Sequence, residues 1–186
     1  MYTLDEVKKF CLKCNKCRLS EMRTNVVFGE GNANSVIMFV GEGPGYNEDL
    51  QGRPFVGKAG QLFEKMIKSI NLTREDIYIT NIVKCRPPKN RNPMDDEQEL
   101  CIDYLRWQVK LINPKIIVCL GSVAAKKLIY SNKTITSMRG KWVDKGGILF
   151  TAIYHPSYLL RNESAKKDAW QDLKSISDKI KQIRAV

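Results

Sequence analysis

Residues 36–45 read Val-Ile-Met-Phe-Val-Gly-Glu-Gly-Pro-Gly, five apolar residues closed at once by glycines and a proline. A short apolar run bounded by turn residues is the pattern of a strand buried on both faces. Residues 77–83, 116–120 and 148–153 are similar runs. Helical spacing separates the first three. Leu62, Phe63, Met66, Ile67 and Ile70 mark one apolar face. Leu100, Tyr104, Leu105, Leu111 and Ile112 mark a second, entered through Asp95-Asp96-Glu97 after Pro93. Ser122 is placed to cap a short helix through Ile129. A last helix starts near Ser164, with Trp170, Leu173, Ile176, Ile180 and Ile183 on its apolar face. Strands alternating with helices predict a three-layer α/β/α fold around a central, mainly parallel four-stranded sheet.

The 186 residues suit one domain, 1–186, large enough to bury a core without disulfide staples. No apolar run is long enough to cross a bilayer, and the opening MYTLDEVKKF lacks a secretory pattern. A cytoplasmic protein with no membrane partner is expected. Lys and Arg total 31 against 20 acids, a formal charge of +11. Such an excess favours a polyanionic partner in a salt-dependent way, although solubility alone would also account for it.

Six cysteines are many for a reducing compartment, and Cys11, Cys14 and Cys17 form two overlapping C-x-x-C pairs. Metal or cluster ligation is favoured over a disulfide framework. Cys119 lies inside an apolar run and reads as a small core residue. The sole histidine, His155, cannot belong to a His-rich metal centre.

Ligands of parallel α/β sheets bind at the carboxyl ends of the strands. Four polar motifs fall there: Gly41-Glu42-Gly43-Pro44-Gly45, Thr80-Asn81, Gly121-Ser122 and Tyr154-His155-Pro156-Ser157. The first is no dinucleotide turn. Tyr46 or Glu48 stands where G-x-G-x-x-G needs its third glycine, and Pro44 removes an amide. No nucleotide cofactor is expected.

The blocks GEGPG, GRPFVGKAGQLF, ITNIVKCRPP and HPSYLLR, in this order, resemble the family 4 uracil-DNA glycosylases, the iron–sulfur branch of that superfamily. The resemblance covers residues 14–161. It implies a monofunctional enzyme of base excision repair that flips deoxyuridine out of DNA, hydrolyses the N-glycosidic bond and leaves an abasic site. It also implies a [4Fe–4S] cluster on Cys14, Cys17, Cys85 and Cys101, joining the N-terminus to the 85–101 region. Ligand count alone leaves four-cysteine zinc equally open.

The resemblance carries the pocket over residue by residue. Phe55 matches the residue on which uracil stacks, where composition alone suggests a core phenylalanine. Asn81 matches the reader of the base edge, donating to O4 and accepting from N3–H. Glu48 resembles the position that crowds C5, with an exposed loop acid as the alternative. His155 would donate to uracil O2 as negative charge grows there. Gly41, Glu42 and Gly43 would line the pocket with main-chain groups. Gly43 replaces the Asp or Asn of other branches, which leaves Glu42 as the nearest carboxylate for the attacking water. Leu159, Leu160 and Arg161 are candidates for the wedge that fills the flipped-out gap. Lys58, Ser122 and Arg139 are candidate phosphate contacts, and each could equally be ordinary surface. The expected partner is uracil-containing DNA, with room for a replication or repair protein. Two rivals remain open: a glycosylase of wider base range, and a non-enzymatic metal-containing nucleic-acid-binding module.

Overall fold

The structure is a computed structural model that describes residues 2–185. Its strands are β1 (Glu30–Gly31), β2 (Ile37–Gly41), β3 (Tyr78–Asn81), β4 (Ile116–Leu120), β5 (Val143–Lys145) and β6 (Ile148–Ile153). Its helices are α1 (Leu4–Leu12), α2 (Leu19–Met22), α3 (Tyr46–Gln51), α4 (Lys58–Lys68), α5 (Asp95–Ile112), α6 (Ser122–Leu128), α7 (Ile135–Met138), α8 (Pro156–Arg161) and α9 (Lys166–Arg184).

The sheet runs β1-β3-β2-β4-β6-β5. The four expected strands are its parallel centre, with Gly41 opposite Asn81 and Leu120 opposite Ile153. The sheet is wider than the expected four strands. The short β1 and β5 add antiparallel edges, making six strands in a mixed sheet.

Side chains alternate across each central strand and feed two cores. Met38 and Val40 point to one face, with Ile102 and Leu105 of α5 and Ala124 and Ala125 of α6. Ile37 and Phe39 point to the other, with Phe63 and Ile67 of α4, Leu159 of α8 and Leu173 and Ile176 of α9. Strands covered on both faces need apolar residues throughout, which explains the unbroken runs.

Two local expectations are corrected, and one helix was not expected. Ser122 is not the cap of α6 but its first helical residue; Gly121 takes the cap position without a side-chain bond. The last helix starts at Lys166, because residues 163–165 form a 3₁₀ turn. Helix α1 is not among the expected elements, although Thr3 and Glu6 form a capping box at its start. Among the described residues no helix is long and apolar enough to cross a membrane.

Candidate active site

The carboxyl ends of β2, β3 and β6 bring Gly41, Asn81 and His155 to one edge of the sheet, and Phe55 joins them from the loop before α4. Gly41 makes the approach possible. A Cβ there would stand 2.4 Å from Asn81 Oδ1 and 2.8 Å from Phe55 Cζ, so any side chain would displace both. Asn81 is buried at 2% exposure. Its Oδ1 is the one buried side-chain N or O atom among the described residues with no hydrogen-bond partner. Such an acceptor is available to a donor on a ligand that enters the pocket.

His155 caps the N-terminus of α8, and its Nδ1 accepts a hydrogen bond from Ser157 N at 3.1 Å. Ser157 Oγ lies 2.7 Å from the same nitrogen. The Ser157 amide can only donate, so Nδ1 must carry the lone pair and the neutral ring holds its proton on Nε2. Burial pushes the pKa down to about 4, against the opposing pull of the Glu48 charge. At neutral pH the ring is therefore an uncharged donor through Nε2–H. Its centroid is 5.7 Å from that of Phe55, the planes tilted by 34°.

Phe55 has φ of +54°, a backbone conformation that a bulky residue rarely adopts. Two side chains hold it, and a glycine leaves room for it. Glu48 Oε1 accepts from Val56 N and Gly57 N, both at 2.8 Å. Arg74 donates from Nη1 to Pro54 O at 2.9 Å and from Nη2 to Phe55 O. Gly60 lies so close that a Cβ would come within 1.9 Å of Phe55 O. Strain that is so thoroughly held is typical of ligand-contacting residues. Arg74 also pairs with Glu30 and Glu64, which fixes its own position.

Glu42 follows Gly41 at the strand end. Desolvation raises its carboxyl to about 6. Gly43 packs against Val83, where a Cβ would stand 2.7 Å from Cγ2, so the neighbour leaves little room for a larger residue.

Not every expected contact reaches this edge. Leu159 is 1% exposed inside the core of the α4 face, so it is withdrawn from the wedge; Leu160, at 46%, and Arg161 are exposed. Arg139 is withdrawn from the phosphate contacts. Its guanidinium donates to both oxygens of the buried Asp172 and to Asp168 O, and it lies over the Tyr154 ring. Lys58 is exposed at the start of α4, and Ser122 is half-buried at the start of α6. Glu48 is bound to two amides rather than standing as an exposed loop acid.

A second constellation lies on the α1/α5 side of the sheet. Cys14, Cys17, Cys85 and Cys101 line one cavity, and Cys11, from the buried face of α1, joins them there. Cys119 is fully buried in β4. Arg23 Nη1 donates to Cys85 Sγ at 3.2 Å, and Lys84 N to Cys101 Sγ at 3.3 Å. Burial raises the thiols of Cys17, Cys85 and Cys101, the last to about 11. Among the described residues no three Cys, His, Asp or Glu side chains are grouped tightly enough to hold a single metal ion.

Sequence reasoning missed Arg74 and Ser157 as the partner of His155, and it set Cys11, a member of the overlapping C-x-x-C pairs, outside the ligand set although it lines the same cavity. Of the two missed residues, only Ser157 had a nearby signal, two positions after the histidine.

A family model for the uracil DNA glycosylase superfamily matches residues 28–174. A type-4 uracil-DNA glycosylase of Thermotoga maritima is 48% identical over 170 residues, covering 88% of each chain. One from Archaeoglobus fulgidus is 43% identical over 188 residues, covering 96% of this chain and 94% of its own. A type-5 uracil-DNA glycosylase of Pyrobaculum aerophilum is 33% identical over 146 residues, covering 69% and 64%. With the geometry of the sheet edge, these matches make the chain a member of the uracil DNA glycosylase superfamily, in its type-4 branch.

Proposed function

We propose that this protein removes uracil from DNA as a monofunctional glycosylase of base excision repair. The observation that carries the reading is the unmet acceptor Asn81 Oδ1, buried beside an aromatic ring and a neutral histidine donor. Uracil N3–H supplies the missing donor, and its O4 accepts from the Asn81 amide nitrogen. Cytosine presents the reverse pattern at both atoms. Phe55 stacks on the extruded base and offsets part of the cost of flipping.

Bond cleavage moves the C1′–N1 electron pair onto the base, where negative charge collects at O2. His155 Nε2–H meets that charge. A donor that strengthens in the transition state contributes about 3 kcal/mol. Water bonds to C1′ and gives up a proton, which Glu42 accepts in this reading above the pH at which it ionises. Main-chain groups of 41–43 and the Glu48 carboxylate shape the rest of the pocket. Lys58, Ser122 and Arg161 contact phosphates, and Leu160 fills the gap in the base stack.

The thiol cavity fits a [4Fe–4S] cluster held by Cys14, Cys17, Cys85 and Cys101, because an all-thiol set with one C-x-x-C pair is a normal cluster donor set. When bound, the group supplies a cross-link between the N-terminal segment and residues 85–101 of the single domain. No step of base release passes through it.

The test is base release from a labelled oligonucleotide carrying one uracil, with thymine and hypoxanthine controls and alkaline scoring of abasic sites. Uracil-only release is expected. Comparable hypoxanthine release would shift the reading to the wider-range glycosylase, and no release from an iron-replete protein would remove the enzyme reading.

A further inference from the structure

We infer that Lys84 is a positioning residue for base recognition, tying the end of β3 that carries Asn81 to the helix that carries Cys101. The inference rests on the base-reading role proposed for Asn81.

Lys84 is 1% exposed, and among the described residues no carboxylate lies within ion-pairing distance of it. Its Nζ has three protons and meets three acceptors: Thr80 Oγ1 at 2.6 Å, Asn81 O at 2.7 Å and Gln108 Oε1 at 2.7 Å. Two of these belong to the last two residues of β3. The third belongs to α5, where Gln108 is fully buried and donates onward to Phe28 O at 2.8 Å. The main-chain N–H of Lys84 donates to Cys101 Sγ, and the next residue is Cys85. One residue thus touches the base-reading strand, the long helix and the thiol cavity.

An ammonium buried with no carboxylate partner carries a desolvation cost, which the neighbouring thiolates of the proposed cluster, Cys85 and Cys101, offset only in part. An apolar side chain could not hold the Asn81 carbonyl. The strand needs such a hold. β3 ends at Asn81, and the chain then leaves the ladder through Ile82 and Val83, which donate to Gly41 O and Glu42 O. Asn81 Oδ1 has no hydrogen bond of its own to set its place. A misplacement of 1 Å in a reacting group costs about 10²-fold in rate. The backbone of Asn81 is therefore the point at which a fixed contact does most for the side chain.

The test compares Lys84→Met, Gln108→Leu and the double variant with the native protein. Measured are single-turnover uracil release, selectivity for uracil over cytosine, KM for DNA, iron content and melting temperature. Lys84→Met is expected to keep its iron and its KM, and to lose about 10–100-fold in uracil release together with selectivity. Gln108→Leu keeps both contacts to β3 and loses less, in the same pattern. The double variant removes the Lys84–Gln108 pair as a unit and regains part of the melting temperature, because paired apolar replacement costs less than orphaning one partner, but it does not regain excision, since Asn81 O is still unheld. Excision that returns with melting temperature, or a loss in Lys84→Met that matches its loss of iron, reduces Lys84 to a structural role and overturns the inference. Asn81→Ala separates the two levels. If it excises normally, the reading of Asn81 has failed. If it is inactive while Lys84→Met is normal, only the role of Lys84 has failed.

Discussion

The sheet-edge pocket and the thiol cavity are both assembled from residues far apart in sequence, yet they are prepared for their occupants in different ways. The pocket is complete beforehand. Ser157 sets the tautomer of His155, and Glu48 and Arg74 hold Phe55 at positive φ where Gly60 leaves room for it. Among the buried side-chain N and O atoms of the described residues, Asn81 Oδ1 alone awaits a partner. The thiol cavity is prepared differently: burial disfavours the thiolate form of Cys85 and Cys101, so the proposed cluster would have to displace their protons as it binds. A site that stabilises a transition state gains from rigidity before binding, because reorganisation during the reaction would cost rate. A cross-link gains from the opposite, since its binding energy becomes folding energy.

The strongest test of this contrast is His155→Ala. Removing the donor proposed for O2 should slow single-turnover excision by about 10²–10³-fold, with DNA affinity within a few-fold in a binding titration. An effect on affinity alone would place His155 outside the chemistry. Arg74→Met comes next. Freed of two carbonyl contacts, the Phe55 turn should relax, costing about 1–3 kcal/mol of stability in a denaturant melt and about tenfold in excision. Unchanged excision would mean that the turn holds itself.

The pH profile should show a smaller effect. Glu42 is protonated below about 6 and cannot accept a proton there, so excision should rise through that pH and then level. Glu42→Gln should flatten this limb. His155, held near 4, stays neutral across the range and should add no limb of its own between pH 5 and 8. Cys85→Ala should leave the chemistry least affected. Iron content and visible absorbance should disappear and melting temperature fall by roughly 6–12 °C, while excision per folded molecule drops less than tenfold. A larger drop with unchanged stability would assign the cluster to the pocket instead.

What the sequence made legible follows from how local each signal is. The four central strands are continuous apolar runs because both of their faces are covered, and His155 and Asn81 stand out as polar residues at the ends of such runs. β1 and β5 were illegible: two or three largely exposed residues carry no periodicity. Arg139 looked like a free cation because its partner Asp172 lies 33 residues away on α9. Leu159 and Leu160 are neighbours of equal hydrophobicity, and only the angle of α8 decides which one is buried. Arg74 acts through main-chain carbonyls 19 and 20 residues away, which no side-chain pattern records.

The central claim is that Asn81 reads uracil through its unpaired oxygen. The most direct measurement is the ratio of uracil to cytosine release from matched oligonucleotides by the native protein and by Asn81→Asp. A carboxyl group in place of the amide removes the donor to O4 and offers an acceptor to the cytosine amino group. The ratio should fall by about 10²-fold or more, as happens when a buried polar reader is mismatched with its base. An unchanged ratio would contradict the claim.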